Sequence, residues 1–269
     1  MSSMRAVVAI LALLLLALPA GAAEHPALAK ARALYNAGDF DGAISAAAVA
    51  RREPASADAA ALVIARSHLE WYRQRVDPGD LGAAREALGS VRSSALTPRD
   101  QVDLLVGLGQ SLYLGEVFGA AAELFDTALN RSTLLPERDR LLLLDWWATA
   151  LDREAQARPA ERRVRVFERI GERMESELRE DPANTVANYW LAVAARGSGD
   201  VDRAWDAAVA AWVRSMLKPE SSETLRADLD RLVTQALIPE RARTRPAREQ
   251  PDSMAALRAE WDLVKQQWK

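Results

Sequence analysis

The spacing of apolar and small residues between positions 102 and 129 constrains the fold of this chain more than any other feature. Apolar residues recur there at intervals of three and four, which places one set on a face of a first helix and another set on a face of the next helix. The two sets are Leu105, Leu108 and Leu112, and then Phe118, Ala121, Phe125 and Ala128. Gly109 and Ala121 are small enough to lie where the two helices come closest. Such a pair cannot bury both of its faces alone, so we expect neighbouring pairs to stack on it.

The same offsets recur in other parts of the chain. A turn glycine is followed five residues later by an alanine in three stretches, with the pairs Gly38 and Ala43, Gly79 and Ala84, and Gly199 and Ala204. We expect Gly38 to take the positive φ that ends a helix, and Asp39 to cap the next helix through its carboxylate. A further pair of helices is expected over residues 137–157 and 160–179, because Pro159 separates them. The chain is therefore predicted to hold about five helix pairs.

The stretch that contains Leu105-x2-Leu108-Gly109-x2-Leu112 and then Ala121-x3-Phe125 resembles a tetratricopeptide repeat. The turns and second helices after Gly38 and Gly199 resemble the same family. The resemblance implies an all-α fold, a right-handed α-solenoid of about five tetratricopeptide-like helix pairs over residues 24–218.

Residues 1–23 are expected to form a signal peptide. Arg5 supplies the positive start, an unbroken apolar run covers residues 6–18, and small residues follow Pro19. Cleavage would leave Ala23 or Glu24 as the first residue. An uncleaved membrane anchor is the rival hypothesis, but the run is shorter than the roughly 20 residues that span a bilayer. We therefore expect a periplasmic or secreted protein of a bacterial type, without stable membrane insertion after cleavage.

Composition narrows the possible chemistry. The sequence has no cysteine and two histidines, so disulfides, thiolate nucleophiles and multi-histidine metal sites are not expected, and no cofactor is predicted. The net charge is −3, with acidic and basic residues interspersed, which gives no reason to expect a nucleic-acid partner. On the densely charged helix over residues 160–179, Glu161 with Arg165 and Glu175 with Arg179 have the four-residue spacing of ion pairs. We favour a solvated outer face there over a site for a charged ligand.

Past Pro219 the pattern changes. Residues 219–238 are predicted to form a terminal capping helix, residues 239–251 an extended linker rich in proline and arginine, and residues 252–269 an amphipathic helix capped by Asp252 or Ser253. The apolar stripe of this last helix consists of Met254, Leu257, Trp261, Val264 and Trp268. Because two tryptophans are costly to leave in water, we expect the helix to fold back onto the preceding helices, with docking on a partner as the alternative.

No motif with a catalytic mechanism is present, and no phosphate-binding glycine loop or calcium loop occurs. The tetratricopeptide resemblance implies a scaffold that binds a protein or peptide on the face formed by the first helices of its pairs. The family's inward positions correspond here to Arg32, Tyr35, Asn36, Gln110, Tyr113, Tyr189 and Arg196. The alternative is a helical-repeat enzyme that acts on cell-wall glycan or peptide, and a self-associating module is a third possibility. Paired carboxylates in a deep cleft would favour the enzyme, and an open groove lined by Tyr, Asn and Arg would favour the scaffold.

Overall fold

The computed structural model describes residues 25–219 and 222–269, with the side chain of Ser132 left out. The predicted signal peptide therefore lies outside the described residues. Those residues form helices and turns with no strand, which confirms the all-α prediction. The helices are α1 (Pro26–Asn36), α2 (Phe40–Ala50), α3 (Ala57–Arg75), α4 (Pro78–Gly89), α5 (Pro98–Leu114), α6 (Phe118–Leu129), α7 (Glu137–Gln156), α8 (Ala160–Glu180), α9 (Thr185–Gly197), α10 (Val201–Arg214), α11 (Ser222–Leu232), α12 (Ile238–Ala242) and α13 (Gln250–Gln267).

Helices that follow one another in the chain pack against one another from α1 to α10. The odd-numbered helices also contact the next odd-numbered helix, as seen for α1 with α3, α3 with α5, α7 with α9 and α9 with α11. The exception is α5 with α7, whose backbones lie apart and which meet through side chains. This break in the packing leaves a gap between α5 and α7, and it positions the candidate site described below.

Small residues lie at the contacts between paired helices, as the sequence predicts. Ala43, Ala84, Ala121 and Ala204 are all fully buried. Gly109 is also buried, and a methyl group added there would lie 2.5 Å from Cε1 of Phe125. Atoms cannot approach this closely, so any larger residue at this position would force the Phe125 ring between α5 and α6 to shift.

In four of the five helix pairs, a left-handed residue lies in the turn, two positions before the second helix. Gly38 (φ 80°) takes this role in the first pair, as predicted, and Gly199 (φ 92°) takes it in the fifth pair, where a turn was expected. In the second pair the residue is Val76 (φ 55°) and in the third it is Glu116 (φ 62°). The prediction for Gly79 was wrong, because Gly79 lies in the first turn of α4, where its N–H donates to Oδ1 of Asp77 (2.9 Å).

Side-chain caps start several of these helices. The Asp39 carboxylate accepts from the N–H of Gly42 (2.9 Å) and so caps α2, as predicted. Equivalent side-chain caps are made by Asp77 on α4, Thr97 on α5, Asn184 on α9 and Asp200 on α10. Each cap satisfies a backbone donor that the helix itself cannot pair, and it therefore fixes where the helix begins.

The stretch predicted as an extended linker over residues 239–251 is partly helical. After α11 the chain passes through a π-helical turn (Val233–Leu237) directly into α12, in which Ile238 is fully buried and Ala242 is 1% exposed. Pro239 lies in the first turn of α12, directly after the π-helical turn. The burial of Ile238 and Ala242 explains why this stretch leaves the extended conformation that its prolines and arginines favour.

The last helix, α13, begins at Gln250 rather than at residue 252. Its N-terminal flanking residue is Glu249, which makes no side-chain cap, so neither Asp252 nor Ser253 has the predicted capping role. Pro251 lies in the first turn, where its fixed φ suits a helix start.

The helix α13 folds back against α10, as its two tryptophans led us to expect. Trp261 is 1% exposed, and its ring meets those of Trp212 (5.3 Å between centroids) and Trp205 (6.2 Å) edge-on. The indole N–H of Trp261 donates to Asp230 (2.8 Å) and that of Trp212 donates to the backbone carbonyl of Trp268 (2.9 Å). The Trp268 side chain itself is 42% exposed. None of the described helices is long and apolar enough to cross a membrane.

Candidate functional site

The groove lies along the odd-numbered helices α1, α3, α5 and α7. It consists of two adjoining cavities of about 200 Å³ each, and Tyr35, Arg66, Arg99 and Asp103 line both of them. The first cavity is bounded by α1, α3 and α5. The second extends from there into the gap between α5 and α7. We use the name groove for these two cavities together.

The part of the groove between α5 and α7 is the more apolar part. Val106 of α5 and Leu143 of α7 line it, together with Trp146, and Leu142 on the same helix is 57% exposed. The ring of Trp146 meets that of Tyr113 edge-on at 5.0 Å and that of Phe125 at 6.0 Å. These ring contacts fix Trp146 in the wall of the groove, while the exposed Leu142 leaves apolar surface that a bound side chain could cover.

The charged side chains of the groove are arranged as pairs. The arginine and carboxylate pairs are Arg32 with Asp100 (2.7 Å), Arg66 with Asp103 (3.7 Å), Arg73 with Glu70 (3.0 Å), and Arg99 with both Asp103 (3.5 Å) and Asp139 (3.3 Å). Several of these pairs join different helices, so they help to align α1, α3, α5 and α7. Because each positive group is matched by a carboxylate, the groove has little net charge with which to attract a strongly charged ligand.

An aromatic ring sits at the junction of the two cavities. Burial raises the pKa of Tyr35 above its usual value, and the guanidinium of Arg66 lies 4.6 Å from the centre of its ring. The phenol therefore stays neutral at physiological pH and keeps a hydroxyl that can donate a hydrogen bond. A second cation lies over an aromatic ring where Arg73 stands 5.3 Å from Trp146.

The structure brings four of the predicted partner-binding residues to the groove. Arg32, Tyr35 and Asn36 line the first cavity, and Gln110 lines the second. Tyr113 lies behind the wall, where its ring contacts Trp146 and Phe118. These residues come from α1 and α5, which the packing places on either side of α3.

The remaining two predicted residues, both on α9, lie outside the groove. The Arg196 guanidinium is held by the Glu240 carboxylate of α12 (2.7 Å and 3.0 Å). Tyr189 packs against the apolar cluster that α10 to α13 form. Both side chains are therefore engaged by the C-terminal helices rather than by the surface that Arg32 and Gln110 share.

Sequence reasoning missed Trp146, Leu142 and Arg66. The stripe that marks α7 as a packed helix runs through Leu144 and Trp147, which are buried, and Trp146 is displaced from that stripe by one position. An aromatic residue directly beside a buried stripe was the one available signal. The separation of α5 from α7, which makes Trp146 part of a groove, has no signature in the local sequence.

The histidines and carboxylates of the described chain suggest no metal centre. No three His, Asp or Glu side chains in residues 25–219 and 222–269 come close enough to hold an ion together. His68 pairs with Asp80 (2.9 Å), and Nδ1 of His25 accepts from the N–H of Ala27 (3.3 Å) at the start of α1. Both histidines thus have structural partners.

No protein-family model matches this chain, and a search of curated proteins gives no significant match. The functional argument therefore rests on the groove itself.

Proposed function

We propose that this chain is an exported scaffold, an α-solenoid of tetratricopeptide-like helix pairs that holds a segment of a partner protein in the groove. The observation that carries the proposal is the gap between α5 and α7, where exposed Leu142 and half-buried Trp146 lie beside Gln110. An extended segment could place one apolar side chain against Trp146 and form hydrogen bonds to Gln110 or Asn36. The contacts between successive odd-numbered helices support the solenoid arrangement.

The paired charges of the groove favour a scaffold over the alternative of a hydrolase. A general acid needs a carboxylate in surroundings that disfavour its charge. Here Asp100 forms an ion pair with Arg32, and Asp103 pairs with Arg66 and Arg99, so both carboxylates are already engaged by arginines. Because the groove is almost neutral, we expect partner binding to depend on apolar contact and to change little with salt.

The test uses one substitution at two exposed leucines. Leu142→Glu places a charge in the groove, whereas Leu263→Glu places the same charge on α13, where Leu263 is 52% exposed. Proteins that co-purify with each variant from the native cell envelope are compared with those recovered by the wild-type chain. We expect Leu142→Glu to lose a partner that Leu263→Glu retains. If Leu142→Glu retains every partner of the wild-type chain, the groove does not bind it and the proposal fails.

A further inference from the structure

A second surface, formed by α6, the end of α7 and the start of α8, carries a concentration of arginine. It is an open recess of about 710 Å³ whose charged lining consists of four arginines and two glutamates: Arg158, Arg162, Arg165, Arg169, Glu123 and Glu154. None of these residues belongs to the groove. The recess has an excess of positive charge, although the whole chain has a net charge of −3.

The two glutamates of the recess are already engaged. Glu154 accepts from Arg158 (2.7 Å) and also from the backbone N–H of Gly119 (3.1 Å), while Glu123 pairs with Arg169. Arg169 lies 3.6 Å from Asp126 as well. These contacts leave no carboxylate of the recess available to the other two arginines.

Arg162 and Arg165 are exposed, and neither guanidinium has a hydrogen bond or ion pair with any described residue. The spacing of Glu161 and Arg165 predicts an ion pair, but the two side chains do not form one. Glu175, which the sequence pairs with Arg179, instead binds Arg203 of α10. The two ion pairs that the spacing predicts on α8 are thus not formed, and two of its cations lie in the recess without a partner among the described residues.

The geometry of α8 adds to this positive potential. Residues 162, 165 and 169 are spaced by three and four, so their side chains lie on one face of the helix. Arg162 is in the first turn, where unpaired N–H groups form the positive end of the helix dipole. Arginines gathered in one recess repel one another, so a bound anion would relieve that repulsion as well as accept hydrogen bonds.

We propose that this recess binds a phosphate group. The planar guanidinium presents a fork of N–H donors that matches the oxygen atoms of phosphate, and two unpaired forks on one helix face can share a single group. The phosphate could belong to a soluble phosphate ester or to the headgroup of a lipid, because the same oxygen atoms would be recognised in both.

The test compares two double variants of equal charge. Arg162→Gln with Arg165→Gln removes the unpaired cations of the recess. Arg52→Gln with Arg179→Gln removes two exposed arginines that lie elsewhere and also lack partners among the described residues. Each variant and the wild-type protein, purified by one route, is titrated with inorganic pyrophosphate by calorimetry, and is then sedimented with vesicles of phosphatidylglycerol in phosphatidylcholine. Melting curves establish that all three proteins are folded.

We expect the recess variant to bind at least about tenfold more weakly than the wild type, since it loses charge-assisted hydrogen bonds, and the control variant to change by less than about twofold. Binding of pyrophosphate would assign the recess to soluble phosphate esters, and binding of vesicles alone would assign it to lipid headgroups. Equal losses in both variants would show a general effect of charge and would overturn the proposal. It would also be overturned if the wild-type protein bound neither probe with a Kd below about 1 mM.

Discussion

The junction of α5 with α7 and the junction of α9 with α11 both join alternate helices, and they are filled differently. At the second junction, Leu225 and Leu229 of α11 are buried in a cluster against which Tyr189 of α9 packs. At the first, the side chain of Trp146 on α7 meets Tyr113 of α5, but the two backbones stay apart and Leu142 is left exposed. One junction is therefore closed by the chain itself, whereas the other leaves apolar and aromatic surface in the groove.

The closed region is the part of the molecule formed by α9 to α13. Its stability depends most on one tryptophan of α13. Replacing Trp261 by alanine removes a ring that is 1% exposed and contacts both Trp205 and Trp212, so we expect a loss of about 3–5 kcal/mol in the free energy of unfolding. Trp268→Ala is the matched control, because the Trp268 side chain is 42% exposed. The hydrogen bond from Trp212 goes to the backbone carbonyl of residue 268, which the substitution keeps. Denaturant unfolding measures both. Similar small losses would mean that α13 does not close this end of the molecule.

The open region is the groove along α1, α3, α5 and α7. One of its walls is supported by the close packing of α5 with α6. Ala121 is fully buried, so Ala121→Leu should overpack this contact and destabilise the protein by about 1–3 kcal/mol. Ala120→Leu makes the same change at an exposed neighbouring position and should alter stability by less than about 0.5 kcal/mol. Thermal melting of the two variants distinguishes them. If they melt together, the register of α6 differs from the one described here.

Acid should weaken the closed region through Asp230. Burial opposes the charge of this carboxylate, but hydrogen bonds from Lys265 and Trp261 outweigh that effect and hold its pKa below the usual value. A lowered pKa in the folded state stabilises the protein above the ordinary aspartate pKa of about 3.9 and loses that contribution as the pH falls below it. Because Asp230 is partly exposed, the contribution should be no more than about 1 kcal/mol.

The free energy of unfolding is measured as a function of pH for Asp230→Asn and for the control Asp262→Asn. Asp262 also pairs with Lys265, but its side chain is 58% exposed. We expect only Asp230→Asn to flatten the decline in stability below about pH 4. An unchanged decline in that variant would show that the acid sensitivity arises elsewhere.

The smallest expected effect concerns the turn that leads into α4. Val76 has a left-handed backbone (φ 55°), which costs a branched residue about 1–2 kcal/mol, whereas glycine adopts it without strain. Glycine also has more conformational entropy in the unfolded chain, and this offsets part of the gain. Val76→Gly should therefore stabilise the protein by about 0.5–1 kcal/mol. Val49→Gly, at an exposed position near the end of helix α2, should have the opposite sign. A lower melting temperature for Val76→Gly would argue against the left-handed turn.

The parts of the fold that local spacing determines were predictable. The buried alanines and the turns at Gly38 and Gly199 follow from offsets within one helix pair, and the structure confirms them. Gly79 was expected in the turn from its offset to Ala84, but it lies in the first turn of α4, and Val76 adopts the left-handed conformation instead. The helical conformation of residues 239–242 was also missed, since burial of Ala242 against other helices overrode the preference of the local sequence.

The candidate site was predictable only in part. Positions on α1 and α5 that face the groove follow from the repeat pattern, and they include Tyr35 and Gln110. The positions on α9 follow from the same pattern, yet Arg196 is bound by Glu240 of a later helix. Whether a face of a repeat stays open depends on which distant segment packs on it. The sequence of a single repeat carries no information about that packing.

The most direct test of the open and closed regions is hydroxyl-radical footprinting of the protein, alone and with the partner recovered from the envelope. The method reports the exposure of individual side chains. Our account predicts that Leu142, Trp146 and Tyr35 lose reactivity in the complex, while Leu263 and Trp268, exposed on and just after α13, react as in the free protein. Protection of Leu263 and Trp268 with unchanged reactivity of Leu142 and Trp146 would contradict the account, because the partner would then bind the C-terminal helices and not the groove.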